Sequence, residues 1–403
     1  MAPVSEFGCP DSPTHSRGLI RGARPVQARS TNSAAVLRLL LGEPMSRAEL
    51  ATCLELTQGS VTRITAPLLD AGLITELAAR GASSGRPRTP LDLVGDARYA
   101  VGVHFGLRHT TAGLTDLRGR YVEQLVHRRD PGAPEELIVA AAEMVRELVG
   151  SAPGPVIGIG ATTGGQVDAE SGVVLRNDLL GWRDVALREQ LAQLVDRPIL
   201  VDSHVLTETR AELLFGAART ESDIAYLFVG NVLELGLAID GRVRAGSFAE
   251  LVVPGPNGHL RIGEVATDRS VLAHARLAGV LHEDRGLPEL AETAQRDRTW
   301  RGRVADDLLR GRAALVGSAI GQVMTLLSPS RVVVGGGLLA VPAHLSDVRA
   351  AAARIVGDQA DPETIVPSGL GRHPLVTAAA STVLTSYYED PVGWEPVPLG
   401  VPR

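Results

Sequence analysis

Residues 46–72 read SRAELATCLELTQGSVTRITAPLLDAG, and their reading decides what the N-terminal part of the chain is. Ser46 followed three residues later by Glu49 has the form of a capping box, in which each side chain satisfies the other's backbone N–H. It predicts a short helix from Arg47 to about Leu54, with Leu50, Ala51 and Leu54 inward. Thr57 is a second N-cap. A further helix follows through QGSVTRITAPLLDA and stops at Gly72, with Val61, Ile64 and Leu68 inward. Gln58, Gly59, Ser60, Thr62 and Arg63 then point outward. Two residues are awkward: Glu55 sits in the turn, where Gly or Asn fits more easily, and Pro67 inside the helix predicts a kink.

Upstream, residues 32–41 (NSAAVLRLLL) place Val36, Leu37, Leu40 and Leu41 at helical spacing, and Glu43-Pro44 ends that helix. Downstream, a strand (Leu73–Leu77), a loop carrying Gly85-Arg86-Pro87-Arg88 and a second strand (Thr89–Leu93) read as a wing. Two helices joined by a tight turn, the second with a small polar N-terminal face, are what a DNA major groove admits. The free N–H groups of a helix N-terminus favour phosphate, and arginines on a wing suit a narrow minor groove. The expected DNA contacts are Thr57, Gln58, Gly59, Ser60, Thr62 and Arg63, with Arg86 and Arg88 on the wing. The blander reading is a three-helix interaction module whose arginines are a solvated face.

The chain has 403 residues, which predicts more than one core. Net charge is −6, which argues against a generic nucleic-acid binder but leaves room for a local basic footprint. Residues 1–92 carry ten arginines against eight acids, so the basic excess sits at the N-terminal end. Residues 1–29 mix Pro, Gly, Ser and Arg and read as a disordered leader, without the apolar run of a secretory signal. No stretch is apolar enough to span a bilayer. Two cysteines, Cys9 and Cys53, predict neither a disulfide framework nor a thiolate metal cluster, and fit a reducing cytoplasm.

From Tyr99 the pattern changes. YAVGVHFG, TTAGLTDL and RYVEQLVH read as three strands, followed by a helix (about 134–149) and the strand PVIGIGAT. A strand at 198–202 leads into a helix at about 205–217. A second set opens with IAYLFVG and LELGLAI, closed by the hairpin turn Asp240-Gly241. A long helix near 301–327 and RVVVGGGLL complete it. The fold class is α/β: a winged helix-turn-helix (30–95), then a duplicated two-lobed body (96–390, lobe boundary near 200, C-terminal helix returning to the first lobe) and a tail, 391–403.

The order of Gly102–Gly106, Arg176-Asn177, Gly181-Trp182, Gly216-Ala217-Ala218-Arg219, Asp240-Gly241-Arg242 and Gly335-Gly336-Gly337 resembles the ROK family, of repressors, open reading frames and sugar kinases. The resemblance covers about 32–390. It implies an actin/hexokinase-like (ribonuclease H-like) body and, with the winged helix, a repressor of carbohydrate-related genes. It further implies a homodimer or homotetramer on double-stranded DNA, suited to a palindromic operator.

Measured against the family's chemistry, several positions differ. The stretch matching the first phosphate loop is His104-Phe105-Gly106-Leu107-Arg108, without its carboxylate. The motif that carries the catalytic Asp matches Asp202-Ser203-His204. The second phosphate loop matches Gly230-Asn231-Val232-Leu233-Glu234, where Leu and Glu oppose phosphate. The zinc histidine's position is Val253 and the zinc cysteines have no counterparts. These losses predict a protein that is not an enzyme, with neither metal nor cofactor; an active sugar kinase is the disfavoured alternative. The resemblance maps sugar contacts to Asn177, Ser203, His204 and Glu250, of which Ser203 and His204 are changed. They form either a polar pocket for a sugar or sugar-derived effector, or a vestigial cleft in which Asn177 caps a loop, Glu250 is solvated and His204 caps a helix.

Overall fold

The computed structural model describes residues 25–78, 89–128, 133–255, 258–359, 361–371 and 373–394. The expected wing-tip arginines Arg86 and Arg88, residues 1–24 of the expected leader and most of the tail lie outside the described residues. The chain divides into two compact units, Met1–Phe215 with Arg372–Arg403, and Gly216–Gly371. The division after Phe215 lies past the expected lobe boundary near 200, because helix His204–Leu214 packs with the first unit.

The N-terminal elements are α1 (Pro25–Gly42), β1 (Met45–Ser46), α2 (Arg47–Cys53), α3 (Gln58–Asp70), β2 (Ile74–Glu76) and β3 (Pro90–Leu93). Helix α1 starts within the stretch read as leader. The capping box forms as the sequence predicts: Ser46 N–H donates to Glu49 Oε2 at 2.7 Å and Glu49 N–H to Ser46 Oγ at 3.3 Å. The short strand β1 was not foreseen; with β2 and β3 it makes an antiparallel sheet in the order β1-β3-β2. Helix α3 continues through Pro67 to Asp70, and Leu68 beside it is fully buried. Proline near the C-terminal end costs one backbone bond and leaves the buried face intact.

Helices α2 and α3 end the same way. Leu56 N–H donates to Ala51 and Glu55 N–H to Thr52; Leu73 N–H donates to Leu68 and Gly72 N–H to Leu69. Both are Schellman ends, which need a left-handed residue one past the cap. Gly72 supplies it at φ 67°, and Glu55 must adopt it at φ 52°. Cys53 lies in α2, and the other cysteine of the sequence, Cys9, lies outside the described residues.

The rest of the first unit runs β4 (Tyr99–Phe105), β5 (His109–Asp116), β6 (Tyr121–Arg128), α4 (Pro134–Ser151), β7 (Val156–Thr163), β8 (Gln166–Asp168), β9 (Val173–Asn177), β10 (Trp182–Val185), α5 (Leu187–Ala192), β11 (Ile199–Ser203) and α6 (His204–Leu214). The second unit holds β12 (Ile224–Val229), β13 (Leu233–Ile239), β14 (Arg242–Gly246), β15 (Val252–Gly255), β16 (Gly258–Arg261), α7 (Ile262–Val265), α8 (Asp268–Leu277), α9 (Leu287–Arg296), α10 (Trp300–Leu327), β17 (Arg331–Gly336), α11 (Leu345–Val356) and β18 (Ile365–Pro367). Helix α12 (Pro374–Glu389) returns to the first unit.

The two main sheets have one plan. Their orders are β11-β7-β4-β5-β6 and β18-β17-β12-β13-β14. In each, three consecutive strands form an antiparallel meander and two later strands add in parallel beside the first. The parallel strands are nearly continuous apolar runs, as burial on both faces requires. In the first unit α12 lies directly on the sheet: a Cβ on Gly160 would overlap the Ala379 carbonyl oxygen. The far half of α12 contributes Val383, Leu384, Tyr387 and Tyr388 to one core with Val36, Leu37, Leu40, Leu68 and Leu91. The winged helix therefore shares its hydrophobic core with the body, and each of those leucines stabilises the joint by roughly 1.5–3 kcal/mol.

Glu55→Gly is expected to stabilise the chain by about 1 kcal/mol, and Gly72→Ala to destabilise it by about 1–2 kcal/mol, since only the left-handed residue changes. Urea unfolding midpoints measure both; equal effects of one sign would contradict the paired caps.

Candidate nucleic-acid interface and kinase-like site

The N-terminus of α3 is built from its own sequence. Thr57, extended at φ −77° and ψ 150°, accepts from Ser60 N–H at 3.2 Å, and the two hydroxyls lie 3.0 Å apart. Arg63 Nη2 donates to Ser60 Oγ at 3.4 Å, so the guanidinium leans back toward the helix start. Thr62 commits its hydroxyl hydrogen to the Gln58 carbonyl at 2.9 Å, which turns its methyl and lone pairs outward. Thr57, Gln58, Gly59, Thr62 and Arg63 are exposed and Ser60 is half-buried, while Val61, Thr65 and Leu68 are buried. Six expected contact residues thus share one solvent-facing end of α3, with free N–H groups and the positive end of the helix dipole. Arg47, at the start of α2, pairs with Glu76 of β2 at 2.7 Å and ties the first helix to the wing.

In the first unit, the carboxyl ends of β4, β7 and β11 bring together His104, Thr162, Thr163, Ser203 and His204. His104 registers with Thr162, and Thr163 with Ser203. The two imidazoles have ring centroids 6.0 Å apart, edge to face. In an open α/β sheet this edge is where ligands bind. Asn177 joins the group by donating from Nδ2 to Thr163 Oγ1 at 2.9 Å, and its Oδ1 accepts from the Leu179 and Leu180 amides. Its oxygen and one of its two N–H groups are therefore used in holding the loop. Ser203 precedes α6 with its Oγ buried and without a hydrogen-bond partner among the described residues. Trp182 packs against Phe105 at 5.4 Å and is fully buried, a core residue under the strand ends. Glu250 belongs to the second unit, is exposed and pairs with Arg261.

Burial in apolar surroundings pushes the His204 imidazole down to about 4. Burial, with the neighbouring His204, pushes His104 down to about 3. Both rings are therefore neutral at neutral pH. Two partners in this cluster escaped the sequence reading. Glu208 stands one turn beyond His204, its Oε2 4.0 Å from the ring's Nε2. Arg210 pairs with Asp202 at 2.5 Å and so neutralises the carboxylate at the head of Asp202-Ser203-His204. The i, i+4 spacing of His204 and Glu208 on a helix was the available signal.

In the second unit the loop matching the second phosphate site closes on itself. Gly230 N–H donates to the Val232 carbonyl at 3.0 Å, and Gly337 N–H donates to the Val229 carbonyl at 2.8 Å. The Gly230 amide of that loop thus already has a backbone partner. A Cβ on Gly335 would overlap the Tyr226 hydroxyl, so packing alone demands glycine there. Val253, at the position of the family's zinc histidine, is fully buried in the apolar core. Among the described residues no group of three or more His, Cys, Asp or Glu is placed to hold a metal ion. Among them, too, no helix is long and apolar enough to cross a membrane.

Residues 100–270 match the ROK family. A transcriptional regulator of Mycobacterium tuberculosis, Rv0485, is 30% identical over 389 residues, covering 90% of this chain and 86% of its own length. The chain belongs to the ROK family. The DNA-binding transcriptional repressor Mlc of Escherichia coli is 25% identical over 337 residues, covering 77% of this chain and 82% of Mlc. Among solved structures, a ROK family transcriptional regulator described as a homologue of E. coli Mlc superposes with a TM-score of 0.69 at 20% identity, covering 90% of this chain and 97% of that one. A ROK family glucokinase from Streptomyces griseus, solved with glucose and AMPPNP, gives 0.60 at 23% identity, covering 70% of this chain and 98% of that one. These structural likenesses are of fold. The full-length relatives are transcriptional regulators, and this ROK chain is one of that kind.

An unfolded histidine takes up its proton near pH 6.5, whereas His204 stays neutral to about pH 4 in the folded protein. Between those values the unfolded state binds the extra proton. Stability is complete above about pH 6.5 and falls by about 1.4 kcal/mol per pH unit below it for this one group. His204→Gln is expected to remove about 2 kcal/mol of the difference in unfolding free energy between pH 7 and pH 5; an unchanged pH profile would show that His204 is not held neutral.

Proposed function

We propose that this ROK regulator is a repressor that reads an operator through the exposed start of α3 and the wing, as a homodimer or homotetramer on a palindromic site. The observation that carries the reading is the clustering of Thr57, Gln58, Gly59, Thr62 and Arg63 on one exposed helix end, beside a three-stranded wing. Gln58 reads base edges, Thr57, Ser60 and Arg63 contact phosphate with the helix N–H groups, and Gly59 permits close approach. Arg86 and Arg88 enter the minor groove.

The regulated genes belong to carbohydrate metabolism, by the kinship with a xylose repressor of Bacillus subtilis, which is 24% identical over 227 residues. The kinase-like body is catalytically silent and senses a sugar or sugar-derived effector in the first unit, at Asn177, Ser203 and His204. Support for silence comes from two imidazoles where carboxylates would act, and from the Gly230 amide already bonded to a carbonyl. A second reading, a body that holds no effector, is favoured by one observation: the Asn177 oxygen is occupied by two loop amides and one of its N–H groups by Thr163.

A duplex enriched by the full-length protein from a randomised pool provides the test. Arg63→Ala is expected to lower affinity and to reduce the slope of log K against log salt by about one, as for each lost phosphate contact. Gly59→Ala should raise stability by about 1 kcal/mol, since the new methyl meets open space and improves helix propensity, yet weaken DNA binding. Tighter or unchanged DNA binding by Gly59→Ala would remove this face from the interface. Sugar-dependent ATP turnover at a kinase's rate would overturn the silent body, and a thermal-shift screen of sugars and sugar phosphates tests for the effector.

A further inference from the structure

Arg118 lies in the β5–β6 turn of the body, 25 residues or more from the winged helix in sequence, yet its guanidinium is spent on that module. Nη2 donates to Asp92 Oδ1 at 2.5 Å and to the Leu93 carbonyl at 2.9 Å, both on β3. Nη1 donates to the carbonyls of Leu40 and Leu41 at 3.2 and 3.4 Å, where α1 ends. One side chain thus holds the return strand of the wing and the last turn of the helix that packs behind α3. A cation is also what the C-terminal end of a helix favours.

The turn that presents Arg118 is itself fixed. Asp116 Oδ1 accepts from the amides of Arg118 and Arg120, each at 2.8 Å. Leu117 N–H donates to the Gly95 carbonyl at 2.8 Å, and the Leu117 carbonyl accepts from the buried Tyr388 hydroxyl on α12. Arg118's side chain is only 13% exposed, so it is not offered to a phosphate.

We propose that Arg118 is a positioning residue for DNA recognition. It sets the wing and α1 in one register against the body, so that α3 and the wing meet the duplex together. The geometry asks for arginine in particular. Four acceptors in two directions match a planar fork with five N–H donors, whereas a lysine ammonium has three donors at one point. Without Arg118, binding must first order the wing against α3, and that ordering is subtracted from affinity. The inference rests on the reading of the winged helix as the DNA-binding element.

The experiment uses the full-length protein, the duplex it enriches from a randomised pool, and the variants R118A, R118K, D92N and R63A. R118A is expected to bind at least tenfold more weakly, with its salt slope unchanged and its helical content intact at the assay temperature. R118K should resemble R118A, and D92N, which keeps the carbonyl contacts, should lose less. R63A is the contrast, with a reduced salt slope. R118A binding within twofold of wild type, whether or not its Tm falls, would overturn the proposal and leave Arg118 a purely stabilising residue. A slope lowered by about one in R118A would also overturn it, by making Arg118 a phosphate contact. If R118A does not fold, D92N decides: weaker binding at unchanged slope supports the proposal, and unchanged binding overturns it. If the wild type enriches no duplex, the DNA-binding reading fails instead.

Discussion

The contact on which the first unit depends is the seating of α12 on β4 and β7. Glycines at positions 102 and 160 remove the side chains that would hold the helix off, and its backbone meets the sheet directly. From there α12 reaches two ways. Ser381 donates to the Thr207 carbonyl of α6 at 3.1 Å, just behind His204. Val383, Leu384, Tyr387 and Tyr388 join the core of the winged helix. One helix therefore touches both the element that carries His204 and the core on which α3 is seated. A packed core of this kind transmits displacement rather than absorbing it.

In the body, the polar groups at the strand ends are mostly partnered within the protein. The sheet order that places catalytic groups at strand ends is retained in both units. His104 and His204 are buried imidazoles, Asp202 is matched by Arg210, and Arg312 is buried against Asp268 at 2.5 Å. Arg312 also donates to the Ala266 carbonyl, so the pair braces the start of α8. Buried charges are tolerated only when partnered in this way.

Much of this was legible in the sequence because it is local. The capping box at Ser46 and Glu49, the N-cap at Thr57 and the stop at Gly72 depend on residues within a few positions of one another. The alternation and apolar runs of the ten main-sheet strands are set by burial on one or both faces, and all but β14 and β18 were read from the pattern. The strain at Glu55 was foreseen as a poor turn residue, and its left-handed φ of 52° is the form that strain takes. The kink expected at Pro67 did not break α3, because a proline in the last turn disturbs few bonds and the burial of Leu68 holds the turn in place.

By itself the sequence determined the helices of the N-terminal module, most main-sheet strands, the polar face of α3 and the histidines at 104 and 204, since each is a matter of residue type and short spacing. Only the tertiary structure decided that the winged helix and the body share one core, that the Asn177 oxygen and one of its N–H groups are already occupied, and that Arg118 reaches back to α1 and β3. Those facts depend on which distant segments the sheets and α12 bring within a few ångströms. No periodicity along the chain encodes that proximity; it follows from burying the remaining apolar faces of α1, α12 and the strands against one another.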